Sequence, residues 1–159
     1  MECKANNGSG NNEGRDSWET PKSFWNKLNK QYDFNVDCCA SKSNTKCRDY
    51  YSKFETTCLY PFELKLRNRR GWMNPPFSKA LEMFKTFFYI MGKGVAIYRC
   101  DNMETKIWQE IIFPKASWIF IPLGRICYEG MEGSGSRFPS ALIGYNVKPP
   151  KGIKGTLLT

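Results

Sequence analysis

Residues 71–98, GWMNPPFSKALEMFKTFFYIMGKGVAIY, indicate the fold because they hold a strand, a helix and a second strand in succession. Residues 71–74 are predicted to form a strand that ends at the following Pro-Pro pair, since proline cannot continue a hydrogen-bonded ladder. Residues 78–90 are predicted to be helical, because large apolar residues recur there three or four positions apart until two glycines end the pattern. Residues 95–98, Val-Ala-Ile-Tyr, are typical of a buried strand.

The same alternation continues on both sides of this stretch. Before it lie a predicted helix at 20–31 and a short strand at 34–37. After it, a helix is predicted at 104–112 and strands at 118–121, 126–128 and 141–145, the last two as an antiparallel pair around a Gly/Ser loop. Strands that alternate with helices predict an α/β fold, with a mostly parallel sheet and helices on both faces.

The chain of 159 residues is long enough for one ordinary domain, and its 41% apolar and 15% aromatic content indicates a folded protein. We predict a disordered tail at 1–15, a folded domain at 16–148 and a basic tail at 149–159. No apolar run approaches the roughly 18 residues of a membrane span, and the polar start lacks the apolar centre of a signal peptide. These features predict a cytoplasmic protein with no membrane partner.

The chain contains no histidine, which excludes Ser-His-Asp triads, Cys-His dyads and histidine-ligated zinc. Any catalysis must therefore use carboxylates, amides, backbone groups, lysines, cysteines or a bound cofactor. The seven cysteines are an odd number without C-x-x-C spacing, which is typical of reduced cytosolic thiols packed as small apolar side chains. We predict no metal site, and zinc held by cysteines alone is the disfavoured alternative.

The positive charge of the chain points to a polyanionic partner. The 24 Lys and Arg residues exceed the 15 Asp and Glu residues by nine. A small domain with this excess attracts nucleic acid at long range, although a basic surface that serves solubility alone is the alternative. The cations concentrate at 65–70, just before the Pro-Pro motif, and in the C-terminal tail.

The tetrapeptide Asn74-Pro75-Pro76-Phe77 is the segment with the most specific chemistry. In open α/β sheets, ligands bind beyond the carboxyl ends of strands, where this tetrapeptide is predicted to lie. The Asn74 amide oxygen and the neighbouring proline carbonyl form a pair of acceptors. Such a pair suits a planar amino group, whose lone pair then attacks an electrophile, and Phe77 offers a face for a stacked ring. The alternative is a proline-bounded loop with Phe77 in the core.

Asn-Pro-Pro followed by Phe or Tyr resembles the catalytic signature of S-adenosylmethionine-dependent methyltransferases that act on amino groups, chiefly DNA adenine-N6 methyltransferases. Further segments resemble the small phage-type enzymes in the same order: Trp18-Glu19-Thr20-Pro21, residues 34–40 (FNVDCCA), Asn44, Lys46-Cys47, Arg99 with Asp101, Trp108, residues 124–126 and residues 138–142. The resemblance covers roughly residues 17–146. It implies a Rossmann-like methyltransferase fold of reduced size, the cofactor S-adenosylmethionine, and methyl transfer to adenine of DNA, inside a bacterial host cell if the chain is of phage origin.

By this resemblance, the cofactor contacts come from the first part of the chain: Trp18, Thr20, Pro21, Asp37, Cys38, Cys39, Ala40 and Asn44. Asp37 ends a predicted strand, so its carboxylate can hold the ammonium of the methionine moiety, and a helix cap or surface acid is the alternative. Asn44 either contacts the cofactor or caps the following helix. No glycine-rich loop follows this strand, which agrees with a cofactor that has no pyrophosphate.

The residues expected to contact nucleic acid are Ser78, Lys79, Arg99, Asp101, Arg125 and Ser140. Arg99 and Asp101 follow the strand at 95–98 and so lie at the predicted ligand end of the sheet, where they either position the substrate or pair with each other. Arg125 either contacts nucleic acid or covers the surface. The segment that contains Ser140 is as consistent with a structural role as with a functional one.

Two departures from the family pattern concern the site. Phe77 stands where tyrosine is commoner, which keeps a stacking face and removes a hydroxyl. The acid-Gly-Leu segment of the family corresponds here to Thr57-Cys58-Leu59. The acid expected beside the cofactor adenine or ribose is therefore unassigned, and Glu55 and Asp49 are the candidates.

Three alternative functions stay open: methylation of RNA adenine, methylation of a glutamine side chain in a protein, and nucleic-acid binding by a scaffold that has lost catalysis. The net charge of +9 favours nucleic acid over a protein but does not separate DNA from RNA. Since the chain leaves no length for a separate recognition domain, we expect short or relaxed sequence specificity. Loops near 41–70 and 125–140 are expected to contact the target sequence.

Overall fold

The computed structural model describes residues 18–52, 66–130 and 138–159. The predicted tail at 1–15, the segment Thr57-Cys58-Leu59 and the Gly/Ser loop after Gly130 lie outside these ranges. Within the described ranges, no helix has the length and apolarity needed to cross a bilayer.

The helical elements are α1 (Lys22–Tyr32), a 3-10 turn (Phe77–Lys79) that leads into α2 (Ala80–Ile90), and a π-helix (Ile107–Ile112) that continues into α3 (Phe113–Lys115). The strands are β1 (Val36–Asp37), β2 (Asp49–Tyr50), β3 (Arg70–Met73), β4 (Lys93–Arg99), β5 (Trp118–Pro122), β6 (Ser140–Tyr145) and β7 (Gly155–Leu158). The strand, helix and strand predicted within 71–98 are confirmed as β3, α2 and β4.

The seven strands form one mixed sheet in the order β2-β1-β3-β4-β6-β5-β7. The pairs β1–β2, β1–β3 and β3–β4 are parallel, whereas β4–β6, β5–β6 and β5–β7 are antiparallel. The mixed α/β class is therefore confirmed. The expected predominance of parallel pairing is not, because β6 lies between β4 and β5 and runs against both of them, and β7 runs against β5.

Helices pack on both faces of the sheet. Successive residues of a strand point to opposite faces, and because Trp72 of β3 pairs with Val95 of β4, Tyr98 points away from the face of Trp72. On the Trp72 face, Phe34 follows α1, with its ring 6.2 Å from that of Trp25 of α1 and 5.5 Å from that of Trp72. On the other face, Phe84 of α2 lies 5.3 Å from Tyr98.

Three expected elements differ from the structure. Residues 126–128 form no strand among the described residues, because the chain there turns to the N-terminal segment, where Glu129 and Glu19 form an isolated bridge. Residues 104–112 hold turns and a π-helix instead of an α-helix, and Trp108 Nε1 donates to the Arg99 carbonyl at 3.0 Å. Residues 149–159, expected as a tail, supply β7, because their backbone pairs with the open edge of β5.

The direction of the strands decides where a site can form. Strands β1, β3 and β4 run the same way, so they terminate together at what we call the carboxyl end of the sheet, and the opposite end is its amino end. Asp37 is the last residue of β1, Asn74 directly follows β3, and Arg99 is the last residue of β4. Ligands of open α/β sheets bind at this end.

Candidate active site

A cavity of about 200 Å³ lies at the carboxyl end of the sheet. It is lined by residues 18–20 before α1, by residues between 37 and 46 after β1, and by Trp72, Asn74 and Pro76 around the end of β3. These segments are distant in the chain but meet because β1 and β3 are adjacent and parallel, with Asp37 paired to Trp72. The cavity therefore joins the tetrapeptide to the segments expected to bind the cofactor.

Asn74 is the first residue after β3 and lines the cavity. Its Nδ2 atom donates a hydrogen bond to the backbone carbonyl of Trp18 at 3.1 Å. This bond defines the orientation of the amide, since a carbonyl accepts only from the nitrogen end, and it leaves Oδ1 as the acceptor. Because Pro75 and Pro76 have no N–H group to donate, the ladder of β3 ends here.

Phe77 begins the 3-10 turn in which the Lys79 N–H donates to the Pro76 carbonyl at 3.1 Å. Its side chain is 8% exposed. The ring packs edge-on against Tyr98, 6.0 Å between centroids, and against Phe138 at 5.3 Å. Phe77 thus belongs to an aromatic cluster, and it is not among the residues that line the cavity.

Asp37 ends β1 and is buried. Its Oδ2 accepts the Lys46 N–H at 3.0 Å and its Oδ1 accepts the Cys39 N–H at 3.3 Å, so the carboxylate shapes the loop after β1. Burial raises the pKa of the Asp37 carboxyl above its ordinary value, although both N–H groups and the Lys46 charge act in the opposite direction. A cation bound beside Asp37 would favour its charged form.

Thr20 lines the cavity and carries an unsatisfied buried polar atom. The residue is 1% exposed, and its Oγ1 atom has no hydrogen-bond partner among the described residues. A buried hydroxyl in this state costs roughly 1–3 kcal/mol. This cost is removed when a polar ligand in the cavity bonds the hydroxyl.

The structure adds two charged residues that the sequence analysis does not assign to the site. Glu19 and Lys46 line the cavity and form an ion pair, with 3.1 Å between Lys46 Nζ and Glu19 Oε2. The sequence contained one indication that Glu19 and Lys46 belong to the site, because both lie within segments that resemble the family. The other described lining residues that the sequence analysis does not assign to the site are Ser41, Ser52 and Trp72.

Six of the eight residues predicted to contact the cofactor line this one cavity: Trp18, Thr20, Asp37, Cys39, Ala40 and Asn44. Asn44 Oδ1 also accepts the Ser41 N–H at 2.7 Å, so it closes the turn after β1. Cys38 lies in the core with no exposed surface. Pro21 lines a neighbouring groove.

Arg99 and Asp101 form a two-bonded ion pair just after β4. The Nε–Oδ1 and Nη2–Oδ2 distances are both 2.7 Å. This hydrogen bonding raises the pKa of Arg99 and lowers the pKa of Asp101. The guanidinium carbon lies 5.6 Å from the centroid of Phe77 and 5.2 Å from that of Phe138. Arg99 therefore connects the ion pair to the aromatic cluster that follows Asn74.

The other residues expected to contact nucleic acid differ in exposure. Ser78 and Lys79 are exposed on the 3-10 turn, and Arg125 is exposed in the groove beside the cavity. Ser140 is 3% exposed, and its hydroxyl shares a 2.7 Å hydrogen bond with the hydroxyl of Tyr128. The side chain of Ser140 thus holds two parts of the core together in this structure.

Of the two acids considered as cofactor contacts, Asp49 does not line the described cavity. Asp49 lies on β2, where its Oδ2 accepts from Arg69 Nη2 at 2.6 Å, and Glu55 lies outside the described residues. Among the described residues, the acids that line the cavity are Asp37 and Glu19.

Cys38 and Cys47 are buried and Cys100 is half-buried, and all three have raised thiol pKa values. Burial raises the pKa of the Cys38 thiol well above its ordinary value, that of Cys47 to about 12 and that of Cys100 to about 11. These thiols are therefore protonated near neutral pH. In the described ranges, no cluster of three or more histidine, cysteine or acidic residues is arranged to hold a metal ion.

Comparison with known proteins extends the resemblance beyond the site. The family model for DNA N-6-adenine-methyltransferase (Dam) matches residues 8–135, which contain the tetrapeptide and the segments that line the cavity. The DNA N-6-adenine-methyltransferase of Escherichia phage T1 is 38% identical over 66 residues, covering 41% of this chain and 26% of that relative. The matched region thus spans about a quarter of the relative's length. The chain belongs to the DNA N-6-adenine-methyltransferase (Dam) family.

Proposed function

We propose that this chain is a DNA adenine-N6 methyltransferase that transfers a methyl group from S-adenosylmethionine to the exocyclic amino group of adenine. The observation that carries the proposal is the hydrogen bond from Asn74 Nδ2 to the Trp18 carbonyl, at 3.1 Å, in a cavity that also contains Asp37. Asn74 Oδ1 is thereby held as an acceptor in a cavity that a buried carboxylate also lines. Membership of the Dam family supports the same reaction.

We assign the fold to the Rossmann-like methyltransferase type. Support comes from the parallel half of the sheet, β2-β1-β3-β4, whose strands terminate together at the cavity. The antiparallel β6 and β7 extend this half without interrupting its carboxyl end. The proposed domain includes β7, since β7 is a member of the sheet.

The residues present suit the cofactor. The Asp37 carboxylate would hold the ammonium of its methionine moiety, and the unpaired hydroxyl of Thr20 would bond a polar atom of the same moiety. The described cavity, about 200 Å³, is smaller than the roughly 300–1,000 Å³ of most ligand pockets, so we assign it to this end of the cofactor. When bound, S-adenosylmethionine supplies a sulfonium methyl group of high reactivity.

Asn74 and Pro75 would act on the target base. The Asn74 Oδ1 atom and the Pro75 carbonyl accept hydrogens of the adenine amino group, orient its nitrogen and stabilise the positive charge that develops there. Adenine must first leave the base stack, at a cost of a few kcal/mol. Because the Phe77 ring is buried among Tyr98, Phe138 and the Arg99 guanidinium, stacking of the base on Phe77 requires this cluster to rearrange.

Transfer of labelled methyl from S-adenosylmethionine to unmethylated duplex DNA tests the proposal directly. We expect label in N6-methyladenine after digestion to nucleosides. Sequencing of the methylated DNA would then test the proposed short or relaxed specificity. Label that enters RNA or a protein glutamine instead would contradict the DNA assignment. The absence of both transfer and heat stabilisation by S-adenosylhomocysteine would leave the binding scaffold as the function.

Thr20→Val is expected to change stability and cofactor binding in opposite directions. Valine has nearly the same shape as threonine and removes the unpaired hydroxyl, so the free protein should gain roughly 1 kcal/mol in its free energy of unfolding. The affinity for S-adenosylhomocysteine should fall by about tenfold, because one hydrogen bond is lost. Urea unfolding and calorimetry measure the two quantities. A variant that is less stable and binds normally would contradict the proposed role.

A further inference from the structure

An open groove of about 600 Å³ lies next to the candidate active site. It is formed by the start of α1, by the chain that leaves β5 and by the chain that enters β7. The segment before α1 separates it from the catalytic cavity, since Thr20 lines the cavity and the next residue, Pro21, lines the groove. The two openings are therefore neighbours.

The groove also lies at the carboxyl end of the sheet. Strand β5 is antiparallel to β6, and β6 is antiparallel to β4, so β5 ends on the same side as β4. The residues after β5, which begin with Leu123, therefore leave the sheet at the same end as Arg99, with β6 between the two strands. A polymer that crosses the catalytic cavity would continue into this groove.

The groove is positively charged. Lys27 comes from α1, Arg125 follows β5 and Lys154 precedes β7, and no described residue that lines the groove is acidic. The Leu123 N–H donates to the Lys154 carbonyl at 2.8 Å. This bond joins the chain that leaves β5, which carries Arg125, to the chain that enters β7, which carries Lys154. Besides the larger effect of the Arg99 hydrogen bonds, the charge of Arg125 also contributes to the lowered pKa of Asp101.

The shape of the groove leaves its cations accessible to a chain. Gly124 and Gly152 line it with positive φ angles of 81° and 73°, and a Cβ atom at either position would meet nothing within 4 Å. Phe24 and Ile153 add half-buried apolar surface between the charges. Separated cations with apolar surface between them suit phosphates that are joined by sugar rings.

We propose that this groove binds the phosphodiester backbone of DNA next to the target adenine, with Lys27, Arg125 and Lys154 each contacting a phosphate. The proposal rests on the proposed function, because that function supplies DNA as the partner. The excess positive charge of the chain suits the same polyanion. The groove thereby holds the duplex while Asn74 acts on the displaced base.

The salt dependence of DNA binding tests the groove. We compare the triple variant Lys27→Gln, Arg125→Gln, Lys154→Gln with a control triple variant, Lys93→Gln, Lys115→Gln, Lys148→Gln. The three control lysines lie where β4 begins, before β5 begins and after β6 ends, which is the amino end of the sheet. Both variants lower the net charge of +9 by three. Fluorescence anisotropy with a duplex oligonucleotide and S-adenosylhomocysteine measures Kd against salt concentration.

The slope of the logarithm of the DNA-binding constant against the logarithm of the salt concentration should become shallower by about 2–3 in the groove variant. Each phosphate contact adds about 0.9 to the magnitude of that slope. The control should keep the slope within about one. Equal slopes for both variants, with wild-type protein that methylates DNA, would overturn the groove and leave the proposed function intact. Wild-type protein that methylates no DNA would instead overturn the proposed function. A slope change seen with duplex RNA but not with DNA would overturn the assignment of the groove to DNA.

Discussion

Asn74→Ala is expected to lower the rate of methyl transfer to DNA by roughly 10²–10³-fold or more, the loss typical of a removed transition-state hydrogen-bond partner. The acceptor Oδ1 is lost, so the adenine amino group is neither oriented nor stabilised as its nitrogen becomes positive. Affinity for S-adenosylhomocysteine should change by only a few-fold, because Asn74 reaches the cofactor segment through one bond, to the Trp18 carbonyl. Single-turnover kinetics and calorimetry measure the two effects.

Two further variants make this result specific. Asn26→Ala removes an exposed asparagine from α1 and should leave the rate unchanged. Asn74→Asp keeps an acceptor but replaces the donor to the Trp18 carbonyl with a second oxygen, so its rate should fall between those of Asn74→Ala and the unmodified protein. A near-normal rate for Asn74→Ala would remove the tetrapeptide from the proposed mechanism.

Asp37→Asn is expected to weaken the binding of S-adenosylhomocysteine by roughly 10- to 150-fold, which corresponds to the 1.5–3 kcal/mol of a charged hydrogen bond. The variant keeps the size of the side chain but removes the charge that would pair with the ammonium of the cofactor. Titration calorimetry measures the loss. The exposed Asp33 provides the control, because Asp33→Asn removes a carboxylate at the other end of α1 and should bind normally.

The pH dependence of binding separates the charge of Asp37 from its packing. Burial raises the pKa of this carboxyl, so it becomes neutral at a higher pH than an ordinary aspartate does. Affinity for S-adenosylhomocysteine should therefore decrease as the pH falls through the raised pKa, and Asp37→Asn should lack this decrease. The free protein should show the opposite trend, since the buried charge makes it less stable as the pH rises from the ordinary pKa through the raised one. A binding loss in Asp37→Asn with an unchanged pH profile would point to packing alone.

Local pattern was enough to predict the centre of the fold. The apolar spacing of α2 and the Pro-Pro stop after β3 act over a few residues, and both appear in the structure where the sequence indicates them. The pairing of β6 between β4 and β5 was not predictable in this way, because strand pairing joins residues far apart in the chain. The chain at 126–128 shows the same limit, since its neighbour is the segment at Glu19 instead of β6.

The local sequence does not indicate at which end of the sheet a cationic side chain lies. Arg69 precedes β3 and Arg70 begins it, a few residues before Asn74, yet both lie at the amino end of the sheet and bond Asp49 and Asp33. Lys154 lies far along the chain, yet it reaches the groove beside the cavity. A strand of four residues spans roughly 13 Å, so residues just before and just after β3 face different ends of the molecule.

The sequence by itself determined the reaction class that we propose, because the tetrapeptide at 74–77 and the segments around it resemble one family in order and in chemistry. It also determined the α/β class, because helical and strand periodicities are local properties. Only the tertiary structure decided that the Asn74 amide is oriented by the Trp18 carbonyl, that Glu19 and Lys46 join Asp37 in the cavity, and that a basic groove adjoins it. These features arise where parallel strands terminate side by side, and that meeting of distant segments depends on the sheet order, which no local pattern contains.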